Sequence, residues 1–271
     1  MKIALVTGPS SGIGRATAIE LADLGLHVIA AGRSEERVGN VVDVIESRGG
    51  SAEFLHLDLA SLDSARRAGR RFVGSGRHLD VLVNNAGVGG KRGRTEDGFE
   101  IHFGVNHLGH FMLTHHLQPA LHQDSRIVVV SSEAHRGTTG IDFDRLRRKS
   151  RLIGGWADYS TSKLANILFA RHLARTTPAS NTYSLHPGVV DTNIFPPLTG
   201  LIFRNRLTPE EGARTSVWCA TSPEVENETG LYYSRQAVRE PSATARDDAL
   251  AAELWVRSEQ WCGIDPGSGD N

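Results

Sequence analysis

Tyr159 and Lys163 lie four residues apart in Tyr159-Ser160-Thr161-Ser162-Lys163, so a helix would present a phenol and an ammonium on one face. A free phenol ionises near pH ~10, and a neighbouring cation is the physical requirement for it to act as a base near neutrality. A second run, Thr7-Gly8-Pro9-Ser10-Ser11-Gly12-Ile13-Gly14, follows the apolar Ile3-Ala4-Leu5-Val6 and opens a helical pattern. Gly8, Gly12 and Gly14 do not follow the Gly-x-Gly-x-x-Gly spacing, but they meet the same need: a tight turn, and backbone that a phosphate can approach at a helix start. Each run alone has a plainer explanation. One could be a solvated helix-surface pair and the other an ordinary strand-to-helix turn, but together they point to a nucleotide held beside a proton-transfer group.

The elements that would position these residues alternate strand and helix almost throughout, the pattern of a parallel sheet covered on both faces. Strands are expected at Ile3 to Val6, Val28 to Ala31, Ala52 to Leu57, Leu79 to Val83, Arg126 to Ser131 and Thr182 to Leu185, with a final one at Gly230 to Tyr233. Helices are expected from Ile13 to Leu24 with Gly25 as the stop, and after an N-cap at Ser34 with Val38, Val41, Val42 and Ile45 on one face. Others are expected from Asp97 to Leu121, Tyr159 to Arg175 and Asp247 to Glu259, and one opens at Thr208-Pro209-Glu210-Glu211. The fold class is α/β: a single Rossmann-type domain, a doubly wound parallel sheet of about seven strands with helices on both faces. It spans residues 1–264, with 265–271 a frayed tail.

Composition narrows the partners. The 271 residues carry 30 Lys and Arg against 31 Asp and Glu, a formal charge of −1, so no bulk attraction to nucleic acid or anionic membrane is expected. The two cysteines, Cys219 and Cys262, are too few for a disulfide framework or a zinc motif and suit a reducing compartment. The chain enters its first apolar run at once and no run approaches a membrane span, so a soluble cytoplasmic protein with no integral membrane segment is expected. His102, His107, His110, His115 and His116 crowd one helix, but without a His-Glu-x-x-His pattern no metal is expected. A homo-oligomer is left open.

Further strings complete a known constellation: Asn84-Asn85-Ala86-Gly87 after the fourth strand, Asn106 in the long helix, and Ser131-Ser132 after the fifth strand. With these the chain resembles the short-chain dehydrogenase/reductase superfamily over nearly its whole length. Gly98-Phe99-Glu100, Val105-Asn106-His107-Leu108-Gly109-His110-Phe111 and Ser162-Lys163-Leu164-Ala165-Asn166 resemble its retinol dehydrogenase and WW-domain oxidoreductase branch. The resemblance implies that Tyr159 is the acid/base and that Ser132 bonds the substrate oxygen. It further implies that Lys163 supports the phenol and bonds the nicotinamide ribose, and that Asn106 holds a water connecting Lys163 to solvent. It implies a dinucleotide contacted by Gly8, Ser10, Ser11, Gly12, Ile13, Gly14 and Arg15, and by Asn85, Ala86 and Gly87. On the adenine side it implies Asp58 and Leu59, though that aspartate could equally cap the next helix. The nicotinamide carboxamide would meet Pro187, Gly188, Val190 and Thr192, where a simple proline turn is the alternative.

Dinucleotide folds that prefer NAD place a carboxylate at the end of the second strand. Here that position is Gly32, followed by Arg33, and with Arg15 two guanidinium groups could reach an adenosine 2′-phosphate, so NADP(H) is expected over NAD(H). The other reading of Arg33 is a solvated helix approach. The segment Asn193 to Leu207, with its apolar run Ile194 to Phe203, is expected to close as a lid over an apolar carbonyl or alcohol substrate, with a subunit contact or a membrane-surface touch helped by Arg204 and Arg206 as alternatives. Two other classes stay open: a non-catalytic nucleotide-binding redox sensor or scaffold, and a relative of light-dependent protochlorophyllide reductase.

Overall fold

The computed structural model describes residues 1–150, 155–177, 180–190 and 206–265. Its elements follow the chain as β1 (Ile3–Thr7), α1 (Gly12–Asp23), β2 (His27–Gly32), α2 (Glu35–Ser47), β3 (Ser51–His56), α3 (Leu62–Val73) and β4 (Val81–Asn84). Then come α4 (Ile101–Phe103), a π-helical turn (Gly104–Leu108), α5 (Gly109–Leu117), β5 (Ser125–Val130), α6 (Trp156–Thr176) and β6 (Ser180–His186). The last are α7 (Pro209–Thr221), β7 (Tyr232–Ser234), β8 (Ala237–Val238) and α8 (Asp248–Cys262).

The strands form one sheet in the order β3-β2-β1-β4-β5-β6-β7-β8. Neighbours are parallel, except that β8 returns antiparallel to β7. Successive side chains on a strand point to opposite faces, so both faces of this sheet need cover. Leu5, Ile29, Leu82, Ile127 and Val129 share one core with α3, α5, α6 and α8. Ala4, Val6, Val28, Val83, Val128 and Val130 share the other with α1, α2 and α7. One register thus feeds two cores and aligns the carboxyl ends of β1, β4, β5 and β6 along one edge.

Three local expectations change. Gly230 to Tyr233 is not the last strand: β7 begins at Tyr232, and Arg235 and Gln236, both with φ 55°, turn the chain into β8, making eight strands among the described residues. The helix expected from Asp97 begins instead at Ile101, because Glu100 accepts the N–H groups of His102 and Phe103. It is also interrupted by the π turn and gives way to a 3₁₀ turn at Gln118–Ala120. Asp97 does serve a helix start, but another one: its carboxylate accepts the N–H of Leu62 in α3. Elsewhere Ser34 caps α2 through Arg37 N–H, and Thr208 and Glu211 form the capping box of α7.

Two glycines make a paired test. Within α2, a Cβ on Gly39 would meet no atom within 4 Å, so Gly39→Ala is expected to raise unfolding free energy by about 0.5–1 kcal/mol. At Gly14 the added carbon would fall 2.3 Å from the Gly8 carbonyl oxygen, so Gly14→Ala is expected to lower it by about 1–3 kcal/mol. Urea unfolding of both variants against the parent checks the opposite signs.

Candidate active site

β2 lies on one side of β1 and β4 on the other, so the strand order reverses there and a crevice opens beyond their carboxyl ends. Thr7 stitches the crevice: its Oγ1 accepts the N–H groups of Asn85 at 3.0 Å and Ala86 at 2.9 Å, and Asn85 Nδ2 donates to Thr7 O at 2.9 Å. Gly8 and Gly12 have φ of 68° and 55°. A Cβ on Gly8 would lie 2.9 Å from Ala86 Cβ, and one on Gly14 would lie 2.4 Å from Asn85 Nδ2. Above this seam α1 starts after Ser11 with no side-chain cap and no acidic residue in its first turn. That is a cradle with outward N–H groups, which fits a pyrophosphate. Ser10 and Ser11 border it, while Ile13 turns away to pack with Ala16, Val190 and Ala213.

α6 brings the phenol and ammonium to the same crevice. Tyr159 is 5% exposed and shares a hydrogen bond with Ser132. Burial pushes its hydroxyl up to about 12, and the Ser132 bond only partly opposes this. Lys163 Nζ lies 5.7 Å from the Tyr159 ring centre and donates to Val130 O at 3.0 Å. Burial pulls its ammonium down to about 8. The expected cation lies beside the ring, and burial keeps the Tyr159 hydroxyl protonated at neutral pH. Ser131 Oγ donates to Lys163 O at 2.7 Å and Asn166 Nδ2 donates to Val130 O at 3.1 Å, which pins α6 to the end of β5.

Asn106 stands in the π turn and its side chain makes three hydrogen bonds. Oδ1 accepts Val88 N–H at 2.7 Å, while Nδ2 donates to Val88 O at 3.0 Å and to Ser162 Oγ at 2.9 Å. The side chain is thus a strut between the turn after β4 and α6. Gly87 closes the gap: a Cβ there would lie 3.3 Å from Asn106 Oδ1 and 3.7 Å from Lys163 Nζ. Behind Tyr159, the buried Glu100 carboxylate accepts from His102 Nδ1 at 2.7 Å and Ser150 Oγ at 2.5 Å, and these bonds hold it below the usual carboxylate range. The His102 ring meets Tyr159 edge-on at 6.1 Å.

The remaining expected contacts divide. Asp58 does not cap α3; its Oδ1 accepts Ala60 N–H in a local turn, and Ser61 is the cap. Leu59 buries its side chain in the core, and its backbone carbonyl lies against Gly109 of α5. Arg33 is exposed and Arg15 half-buried, and among the described residues neither pairs with a carboxylate. Pro187, Gly188 and Val190 follow β6, with Gly188 at φ 93°. Val190 and Leu207 form a parallel bridge. Thr192, Ile194 to Phe203 and Arg204 lie outside the described residues.

A family model described as short chain dehydrogenase matches residues 2–142. The chain belongs to the short-chain dehydrogenase/reductase family. Polyprenol dehydrogenase of Mus musculus is 42% identical over 99% of this chain and 86% of its own length. Retinol dehydrogenase 14 of Mus musculus is 41% identical over 97% and 86%. A crystal structure of an uncharacterized protein from Mycobacterium Paratuberculosis superposes with a TM-score of 0.81 at 34% identity, covering 98% of this chain and 94% of that one.

Among the described residues of this short-chain dehydrogenase, no helix is long and apolar enough to cross a membrane. A cleft of about 380 Å³ is bordered by Glu100, Arg136, Thr138, Arg145, Asp158 and Thr161, and neither Tyr159 nor Lys163 lines it. Thr7, Ser131, Ser162 and Asn166 hold the site together through bonds that the sequence alone does not assign. Their positions inside recognised motifs were the available signal. Val130 contributes only its carbonyl, which no residue type announces.

Burial holds His107 at about 3 and His110 and His186 at about 4, so each is neutral when folded. Between these values and the unfolded value of about 6.5, the unfolded chain binds protons that the folded chain refuses. Stability is expected to fall as pH drops from 6.5 toward 4, by about 1.4 kcal/mol per pH unit for each such histidine. Urea midpoints at pH 7, 6 and 5 measure this; a flat profile contradicts it.

Proposed function

We propose that the chain is an NADP(H)-dependent oxidoreductase interconverting a carbonyl and an alcohol on a largely apolar small molecule, with NAD(H) the weaker cofactor. The observation that carries the reading is the meeting of Tyr159, Lys163, Ser132 and Asn106 beside a glycine-lined cradle at the switch point. When bound, the dinucleotide supplies or accepts the hydride. Tyr159 gives its proton to the carbonyl oxygen in reduction and takes it back in oxidation, while Ser132 holds that oxygen by a hydrogen bond. A phenol kept neutral by burial suits the donor role. Lys163 holds the nicotinamide ribose, and Asn106 braces the turn against α6.

Gly8, Ser10, Ser11, Gly12, Ile13 and Gly14 surround the pyrophosphate in this reading, and Asn85, Ala86 and Gly87 line the adjacent wall. Asp58 and Leu59 meet the adenine side, and Pro187, Gly188, Val190 and Thr192 meet the carboxamide. Arg15 and Arg33 receive the 2′-phosphate, supported by their lack of carboxylate partners among the described residues. An apolar substrate is supported by the polyprenol and retinol dehydrogenases among the relatives. Trp156, half-exposed with its ring 5.9 Å from that of Tyr159, supports it too. The two buried free cysteines favour a reducing, cytoplasmic setting.

Tyr159→Phe is expected to lower kcat by about 10²–10⁴ while NADPH affinity stays within about twofold. Steady-state rates with a panel of aldehydes, ketones and alcohols, beside fluorescence titration of NADPH, test both halves; retained turnover would remove Tyr159 from the chemistry. Cofactor choice is best probed at Arg33, because a Cβ on Gly32 would lie 2.9 Å from Val38 Cγ2 and confound a carboxylate placed there. Arg33→Ala is expected to raise the NADPH KM about tenfold and leave the NADH KM unmoved. A parent enzyme that prefers NADH sinks the assignment.

A further inference from the structure

His110 is buried, with Nδ1 2.9 Å from the backbone oxygen of Asn106 and Nε2 2.9 Å from Thr7 Oγ1. A carbonyl only accepts, so Nδ1 must carry the hydrogen. Thr7 Oγ1 already accepts two backbone N–H groups, from Asn85 and Ala86, which uses both of its lone pairs. Its own proton is the one thing left to give. Val83 O, at 3.4 Å, is the poorer recipient, so the proton goes to a bare Nε2. Bond counting alone therefore selects one neutral tautomer.

The imidazole adds a buried link between two parts of the site that the Val88–Asn106 bonds already join at the surface of the turn. On one side is the seam between β1 and the turn after β4, which forms the cofactor cradle. On the other is the π turn, where Gly109 N–H bonds to Gly104 O and the ordinary helical ladder slips by one residue. Asn106 continues the chain of bonds to Ser162 Oγ, which donates to Tyr159 O at 2.7 Å.

We propose that His110 is a positioning residue which, as the Nδ1–H tautomer, orients Thr7 toward the cofactor turn and holds the Asn106 carbonyl in the proton-handling turn. This rests on the oxidoreductase reading above. Its two nitrogens do separable work. Asn at 110 keeps a donor near the Nδ1 position and lacks the reach to Thr7, while Gln places an acceptor near Nε2 and leaves the Asn106 carbonyl unserved.

The test begins with the unaltered protein labelled with ¹⁵N-histidine, where two-bond correlations report the His110 tautomer; Nδ1–H is expected and Nε2–H overturns the proposal. His110→Asn is expected to speed hydrogen exchange at the Asn85 and Ala86 amides and weaken NADPH binding, each about tenfold, with kcat at saturating cofactor within about threefold. His110→Gln is expected to keep amide protection and NADPH affinity within about threefold and lower kcat about tenfold. If both variants change affinity and kcat alike, in proportion to their loss of thermal stability, His110 is only a core residue. The tautomer and exchange readouts need no turnover. An active Tyr159→Phe enzyme with the expected His110 results would therefore fault the oxidoreductase chemistry and leave the positioning role standing.

Discussion

The gap between the start of α1 and the turn after β4 is too narrow for a side chain. Gly8 touches Ala86 there, and Gly14 touches both the Gly8 carbonyl and the Asn85 amide. Backbone this close must satisfy its own polar groups, and one Thr7 hydroxyl serves two N–H groups across the seam. With that seam shut, Gly87 rests against Asn106 and Lys163, so the cradle and the Tyr159–Lys163 pair share one wall. Loosening the seam would move both.

The second constraint is dielectric. Lys163 is 4% exposed and would lose its charge readily if left alone, but the Val130 carbonyl takes one of its hydrogens. That carbonyl also receives Asn166, so the end of β5 acts as an anchor for α6. Tyr159 is squeezed in the same dry space between Ser132 and the His102 edge. Burial pulls the lysine down to about 8 and pushes the phenol up to about 12 where the two sit close together at the mouth of the sheet, and displaced titratable groups are a recurrent feature of functional sites.

Much of this was legible from residue order, because the strands are continuous apolar runs and the helix starts carry ordinary capping residues such as Ser34 and Thr208. What escaped has physical reasons. Arg235 and Gln236 make the β7 to β8 turn with positive φ, although the Asn-Gly or Asp-Gly pair that normally advertises such a turn is absent. Glu100 is an unusual N-cap, whereas Asp97 looks like a good one and spends its carboxylate on α3. The π turn at Asn106 leaves no periodic trace, and the hydrogen bonds of Thr7, Ser162 and Val130 arise only when distant segments meet. The residue types at the site were readable; the wiring between them was a property of the fold.

Val190 and Leu207 pair as neighbours, with Leu207 N–H on Val189 O at 2.8 Å and the Leu207 side chain filling the space over Gly188. The stitch ties the stretch after β6 to the residue just before the Thr208 cap, so the start of α7 is fixed by backbone hydrogen bonding as well as by its own capping box. A side chain at position 188 would need both a left-handed backbone and the space that Leu207 fills, so the glycine and the leucine are bound to change together or not at all.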